Sequence, residues 1–166
     1  YGLHTVSFRY GIVYGPREWY GRVLTMFMKR VMNNQPLVIF GNGNQTRDFV
    51  YIDDVVWYNM QASILHAEGV FNLGSEISIS ITELADMICK IKPHTFIYES
   101  VKEGESSKYM PSRKRLPGEL EHLKLDMGET RQRLGHHQPT LLQYGLKKEW
   151  EWINKHPDRW NYDPKV

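Results

Sequence analysis

The 166 residues are 41% hydrophobic and 24% charged, with 21 Lys and Arg against 19 Asp and Glu and a formal net charge of +2. That near balance argues against a nucleic-acid-binding stripe, because the basic cluster Lys108 to Arg115 is short and broken by Pro111, and no apolar run reaches membrane-spanning length. A chain of this size buries a core of its own and reads as one soluble domain or a large part of one, while its single cysteine, Cys89, excludes an internal disulfide framework and fits a reducing, cytoplasmic setting.

The chain opens at Tyr1 with no initiator methionine or signal peptide and enters an alternating strand pattern at once, His4 to Tyr10. It is therefore expected to be the later part of a longer protein. Gly11-Ile12-Val13-Tyr14-Gly15-Pro16-Arg17 reads as a loop at a strand end, where α/β proteins bind ligands, and Arg17 is an anion ligand or an ordinary surface charge. From Tyr20 to Asn34, Val23, Leu24, Phe27, Met28, Val31 and Met32 recur at steps of three and four, which predicts an amphipathic helix ending before Pro36.

Next comes the most informative stretch, Leu37 to Asp54. Leu37-Val38-Ile39-Phe40 leads into Gly41-Asn42-Gly43-Asn44, and Phe49-Val50-Tyr51-Ile52 is a second β-prone run, so the glycines predict a hairpin or tight strand-to-strand turn. A dinucleotide fingerprint would need a third glycine and then a helix, and neither follows. Arg47, beside the turn, can offer a planar guanidinium to phosphate oxygens or pair with Asp48, Asp53 or Asp54. Asp53 is expected to cap a helix running to about His66, and the two neighbouring aspartates read as capping residues rather than metal ligands.

Val70 to Gly74 and Ile77 to Ile81 carry strand patterns, Thr82 with Glu83 and Asp86 opens a helix to about Lys92, and Thr95 to Tyr98 is a further strand. The alternation predicts an α/β class. Residues 99 to 121 lose all periodicity, which marks a functional or mobile loop, and Arg113, Lys114 and Arg115 face an anion or only solvent. His122 to Asp126 resembles a short strand, Met127 to Leu134 a helix stopped by Gly135, and Pro139-Thr140 the start of a last helix with Leu142, Leu146, Trp150 and Ile153 inward.

Four pieces in this order carry a resemblance: Arg9-Tyr10-Gly11-Ile12-Val13-Tyr14-Gly15-Pro16-Arg17, Gln45-Thr46-Arg47-Asp48-Phe49-Val50-Tyr51, Phe71-Asn72-Leu73-Gly74, and Leu134-Gly135-His136 before Pro139. The chain resembles the C-terminal half of extended short-chain dehydrogenases/reductases, the nucleotide-sugar epimerases and dehydratases. The resemblance implies that residues 1–166 form a substrate-binding lobe, with strands near residues 4–10 and 70–73 completing a Rossmann sheet. It implies that Arg47 grips the diphosphate of a nucleotide-diphosphate sugar, with Arg17, Arg115 and Tyr14 as further substrate-side candidates and Tyr10 on the cofactor side.

The same resemblance implies NAD or NADP in the complete protein, no metal, and a homodimer. Ile12 stands where many members carry a contacting asparagine, and a hydrocarbon side chain can neither donate nor accept a hydrogen bond. The family's tyrosine and lysine four residues apart act as acid and base while hydride moves to and from nicotinamide. Tyr98 with Lys102 and Tyr144 with Lys148 match that spacing without its context, so the catalytic pair is expected upstream of Tyr1 and the chain alone inactive. A non-catalytic sugar-nucleotide-binding domain and a keto-sugar reductase stand as alternatives.

Overall fold

The computed structural model of the chain describes residues 2–18, 21–115 and 117–160. In chain order its elements are β1 (Val6–Tyr10), β2 (Ile12–Tyr14), α1 (Val23–Met32), β3 (Leu37–Phe40), β4 (Thr46–Tyr51), α2 (Ile52–Ile64), β5 (Gly69–Leu73), β6 (Ser78–Ser80), α3 (Ile81–Ile91), β7 (Phe96–Glu99), α4 (Gly128–Leu134), α5 (Leu142–Lys155) and α6 (Pro157–Trp160). They fall into two compact units. One joins Tyr1–Glu18, Arg47–Ser78 and Leu123–Lys155; the other joins Trp19–Thr46, Ile79–His122 and His156–Val166.

In the first unit β1 runs parallel to β5, from Val6 opposite Gly69 to Tyr10 opposite Leu73, and β2 runs parallel to β4, Ile12 opposite Phe49. Parallel strands carry near-continuous apolar runs because helices cover them. Here Val50, Val55, Tyr58, Ala62, Phe71, Leu73, Met127 and Leu134 make that core, with α2 and α4 supplying its helical side. At Gly11 the chain passes so close to β4 that a Cβ would stand 2.7 Å from the Asp48 carbonyl oxygen, which is why the step from β1 to β2 needs glycine.

The second unit pairs β3 with β7, also parallel, Leu37 opposite Phe96 through Phe40 opposite Glu99. α1 buries Leu24, Phe27, Met28 and Val31, and α3 buries Ile81, Leu84, Ala85 and Ile88, so both helices turn a continuous apolar stripe inward. Ser80 caps α3 in a reciprocal capping box, its hydroxyl accepting from the Glu83 amide while the Glu83 carboxylate accepts from the Ser80 amide.

Several expectations change. The glycine turn after β3 does not close a hairpin: β3 pairs with β7 and β4 with β2, each in parallel, so tertiary partners override local turn chemistry. Residues 12–14, read as loop, are a strand because their backbone finds β4. Asp53 lies inside the first turn of α2, not at its cap, which is Tyr51. α3 begins one residue before Thr82, on the Ser80 cap. The strand expected over 122–126 reduces to a single bridge between Thr46 and His122. Helix α1 starts at Val23; Tyr20, where it was expected to begin, lies outside the described residues, as does Leu116.

Candidate functional site

The second unit contains a cavity of about 280 Å³ lined by the turn after β3 and by the end of the 99–122 segment: Phe40, Gly41, Asn42, Asn44, Gln45, Arg115, Glu119, Leu120, Glu121 and His122. Its wall is held by short-range hydrogen bonds. The Gln45 side chain donates to the Phe40 carbonyl (3.1 Å), the Asn44 amide donates to Asn42 Oδ1 (3.0 Å), and His122 Nδ1 lies 3.2 Å from Thr46 Oγ1. Gly41 and Gly43 both have φ near +70°, and a Cβ on Gly43 would collide with the Thr82 hydroxyl. These glycines therefore shape the cavity's turn through left-handed backbone and close approach.

The segment after β7, expected to be a functional or mobile loop, carries a hydrogen-bonded framework of its own. Ser106 and Lys114 form an antiparallel bridge, the Arg115 amide donates to the Glu105 carbonyl, and the Gly104 amide donates to the Arg115 carbonyl. Arg115 is half-buried in the cavity wall, and its guanidinium donates to the Val101 carbonyl at 3.0 Å. A five-donor planar cation held beside amide and carboxylate side chains suits a ligand that combines an anion with hydroxyl or base edges.

In the first unit Arg47 sits half-buried on β4, next to the buried carboxylate of Asp48. Asp48 is fully buried; it accepts from the Ser75 amide and hydroxyl (both 2.7 Å), the Glu76 amide (3.3 Å) and the Leu125 amide (3.0 Å). Glu76, held at φ +62°, receives the Met127 amide and both guanidinium nitrogens of Arg131. Asp54 is equally engaged: Thr140 donates to it twice and His137 Nε2 stands 2.9 Å away, its ring stacked on Trp57. The aspartates thus tie β4 and α2 to the segments 74–76, 123–125 and 137–140.

Arg17, Tyr14, Tyr10 and Tyr144 lie in the first unit and Tyr98 in the second. Arg17 is exposed at φ +74°, third residue of the turn Gly15-Pro16-Arg17-Glu18 closed by the Glu18 amide on the Gly15 carbonyl, where glycine is the relaxed choice. Tyr14 is 1% exposed with its hydroxyl 3.5 Å from the Leu142 carbonyl, and burial raises its pKa, so it packs the core and offers no accessible group. Tyr10 is exposed at the end of β1, its hydroxyl 3.4 Å from Asn59 Nδ2. Tyr98 contacts Thr82, and Lys148 lies over the Tyr144 ring; neither tyrosine lines the cavity.

Two buried carboxyls escaped the sequence reading. Glu149 is fully buried on α5 and pushed up to about 10, first by burial and then by the neighbouring Glu18 carboxyl. Glu99, at the end of β7, is 7% exposed. A glutamate falling on an apolar helical stripe, as Glu149 does between Leu146 and Ile153, is the legible signal for the first.

Residues 1–74 match the NAD dependent epimerase/dehydratase family. Over those residues the chain carries that family's domain. The whole chain is 31% identical over 145 residues to the UDP-glucose 4-epimerase of Mycolicibacterium smegmatis, covering 85% of itself and 42% of that relative. It is 30% identical to the solved UDP-glucuronic acid 4-epimerase from Bacillus cereus in complex with UDP-glucuronic acid and NAD, over 90% of itself and 45% of that structure, with a TM-score of 0.73. It is 29% identical to the UDP-glucose 4-epimerase of Thermotoga maritima with UDP-glucose, over 95% of itself and 48% of that structure, with a TM-score of 0.78. The chain therefore spans less than half the length of these relatives.

The α/β class with parallel strands agrees with those structures. The Bacillus cereus relative was solved with NAD, and the one glycine turn that resembles a dinucleotide cradle in this sequence, Gly41–Gly43, does not have that form. A dinucleotide pyrophosphate rests on a glycine turn that opens a helix. The Gly41–Gly43 turn leads into β4, and its second glycine is backed by Thr82 and Tyr98. Among the described residues there is no cluster of three metal-ligating side chains, and no helix is long and apolar enough to cross a membrane.

Proposed function

We propose that this chain is the substrate-binding portion of an NAD(P)-dependent nucleotide-sugar epimerase or dehydratase, and that it holds the nucleotide-diphosphate sugar. The cavity around Arg115 carries the reading, because it joins a fixed cation to amide and carboxylate acceptors in a space suited to part of a nucleotide. NAD or NADP, when present in the complete protein, supplies hydride exchange with the sugar. The tyrosine–lysine acid/base pair and the cofactor's glycine turn belong to chain outside these residues, consistent with relatives about twice as long. This chain's own part is to bind and orient: Arg47 keeps the diphosphate role that the resemblance implies, and exposed Arg17 is a second cationic candidate.

Titration calorimetry tests the reading directly. The 166-residue chain is expected to bind UDP saturably and to show no saturable NAD binding; tight NAD binding by the chain alone sinks the claim that the cofactor site lies elsewhere. In the complete enzyme, Arg47→Ala is expected to weaken nucleotide-sugar binding by about 1.5–3 kcal/mol, the worth of a charge-assisted contact. Unchanged affinity with a lowered melting temperature would show that the arginine serves the fold instead.

A further inference from the structure

The buried carboxyl group of Glu99 has no part in the reading above, yet it joins the cavity floor to the segment that carries Arg115. Its residue is the last of β7 and stands opposite Phe40 in the parallel register. Its carbonyl accepts from the Gly41 amide at 2.9 Å, so the main chain of Glu99 fixes the turn that lines the cavity. Its side chain holds the segment that leads to Arg115: one carboxylate oxygen accepts the Ser107 hydroxyl at 2.5 Å and the other accepts the Lys108 amide at 2.7 Å. Ser107 is itself buried, and its oxygen accepts the Tyr109 and Met110 amides at 3.1 and 3.0 Å.

Beyond this knot the chain doubles back. The Ser107 amide donates to the Arg113 carbonyl, Ser106 bridges Lys114, and the Arg115 amide reaches the Glu105 carbonyl. Residues 101–115 are therefore a hairpin, with Arg115 at the end of its returning arm and its guanidinium on the Val101 carbonyl at the start of the outgoing one. A hairpin this short and polar has little apolar area to hold its shape, so the geometry of Arg115 depends on the groups at its base. We infer that Glu99, through Ser107, is a positioning residue that sets Arg115 in the cavity wall for the phosphate of a nucleotide.

This inference rests on the nucleotide-binding reading for its ligand, and its test separates the two. Glu99→Gln, Ser107→Ala, Arg115→Ala and the double variant Glu99→Gln/Arg115→Ala are titrated with UDP and with uridine, and Arg115 labelling by phenylglyoxal is followed by mass spectrometry. Arg115→Ala is expected to weaken UDP about tenfold or more while leaving uridine within about twofold, since the lost contact is charge-assisted and made to phosphate. Glu99→Gln and Ser107→Ala are expected to reproduce that pattern, Ser107→Thr to restore it, and the double variant to be no weaker than Arg115→Ala, because groups acting as one unit are not additive.

Additive losses, or equal losses for uridine and UDP, overturn the positioning role and leave Glu99 a general support of the fold. If the parent chain binds neither compound, the nucleotide reading falls, and the labelling decides the rest. Faster Arg115 modification in Glu99→Gln at an unchanged melting temperature upholds the positioning of Arg115, and an unchanged rate refutes it.

Discussion

Replacing Asp48 by alanine is expected to destabilise the protein by about 3–5 kcal/mol, because it strands three backbone amides and one hydroxyl in a buried site where each unpaired group costs about 1–3 kcal/mol. The donors come from Ser75, Glu76 and Leu125, two stretches far apart in sequence that this carboxylate joins. Asp48→Asn is no remedy, because the amide it introduces turns an N–H toward donors and gives up acceptor lone pairs that the site requires. The surroundings allow no detour, since a Cβ on Gly74 would stand 2.5 Å from Asp48 Oδ2. Denaturant melts of the two variants, with hydrogen exchange at the Ser75, Glu76 and Leu125 amides, check the result. A loss below about 1 kcal/mol with those amides still protected contradicts the clamp.

Glu149→Gln is expected to change how stability depends on pH, with the opposite sign from most carboxylate substitutions. The Glu149 carboxyl is raised from an ordinary value of 4.5 to about 10 by burial and by Glu18, so the folded chain keeps a proton that the unfolded chain releases. Its contribution is whole below about pH 4.5 and is lost as pH climbs toward 10, by up to about 1.4 kcal/mol per unit; at pH 7 the loss reaches at most about 3.5 kcal/mol. Glutamine has no proton to lose and can donate an N–H to Glu18. The variant should therefore melt higher than the parent at pH 8, with the advantage shrinking toward pH 5. Parallel melting curves across that range would mean that Glu149 does not hold its proton in the fold.

Much of this architecture is legible along the chain because its signals are local. The steps of three and four in Val23 to Met32 give α1, the apolar runs Leu37 to Phe40 and Phe49 to Tyr51 give strands, and Gly135 stops α4 at φ +94°, a backbone conformation open to glycine. The Gln45 to Tyr51 block carried the family as well, because the residue types and their spacing are specific. What failed were statements about partners. A hairpin after β3 and a loop over residues 12–14 were both reasonable from composition, and both were decided by a strand distant in sequence.

The amino-acid sequence by itself determined the α/β class and most helices and strands, since hydrophobic period, caps and turn residues act over a few positions, and its motifs carried the resemblance to the epimerase/dehydratase family. Only the tertiary structure decided which strands pair, and that they do so in parallel, because parallel partners are joined by long crossovers with no local mark. It alone turned Asp48 and Asp54 from expected caps and ion-pair partners into clamps on remote segments. It alone placed Arg115 in a cavity, since a guanidinium's usefulness depends on what holds it, and Glu99 and Ser107 come to support Arg115 only when the chain after β7 folds back on itself.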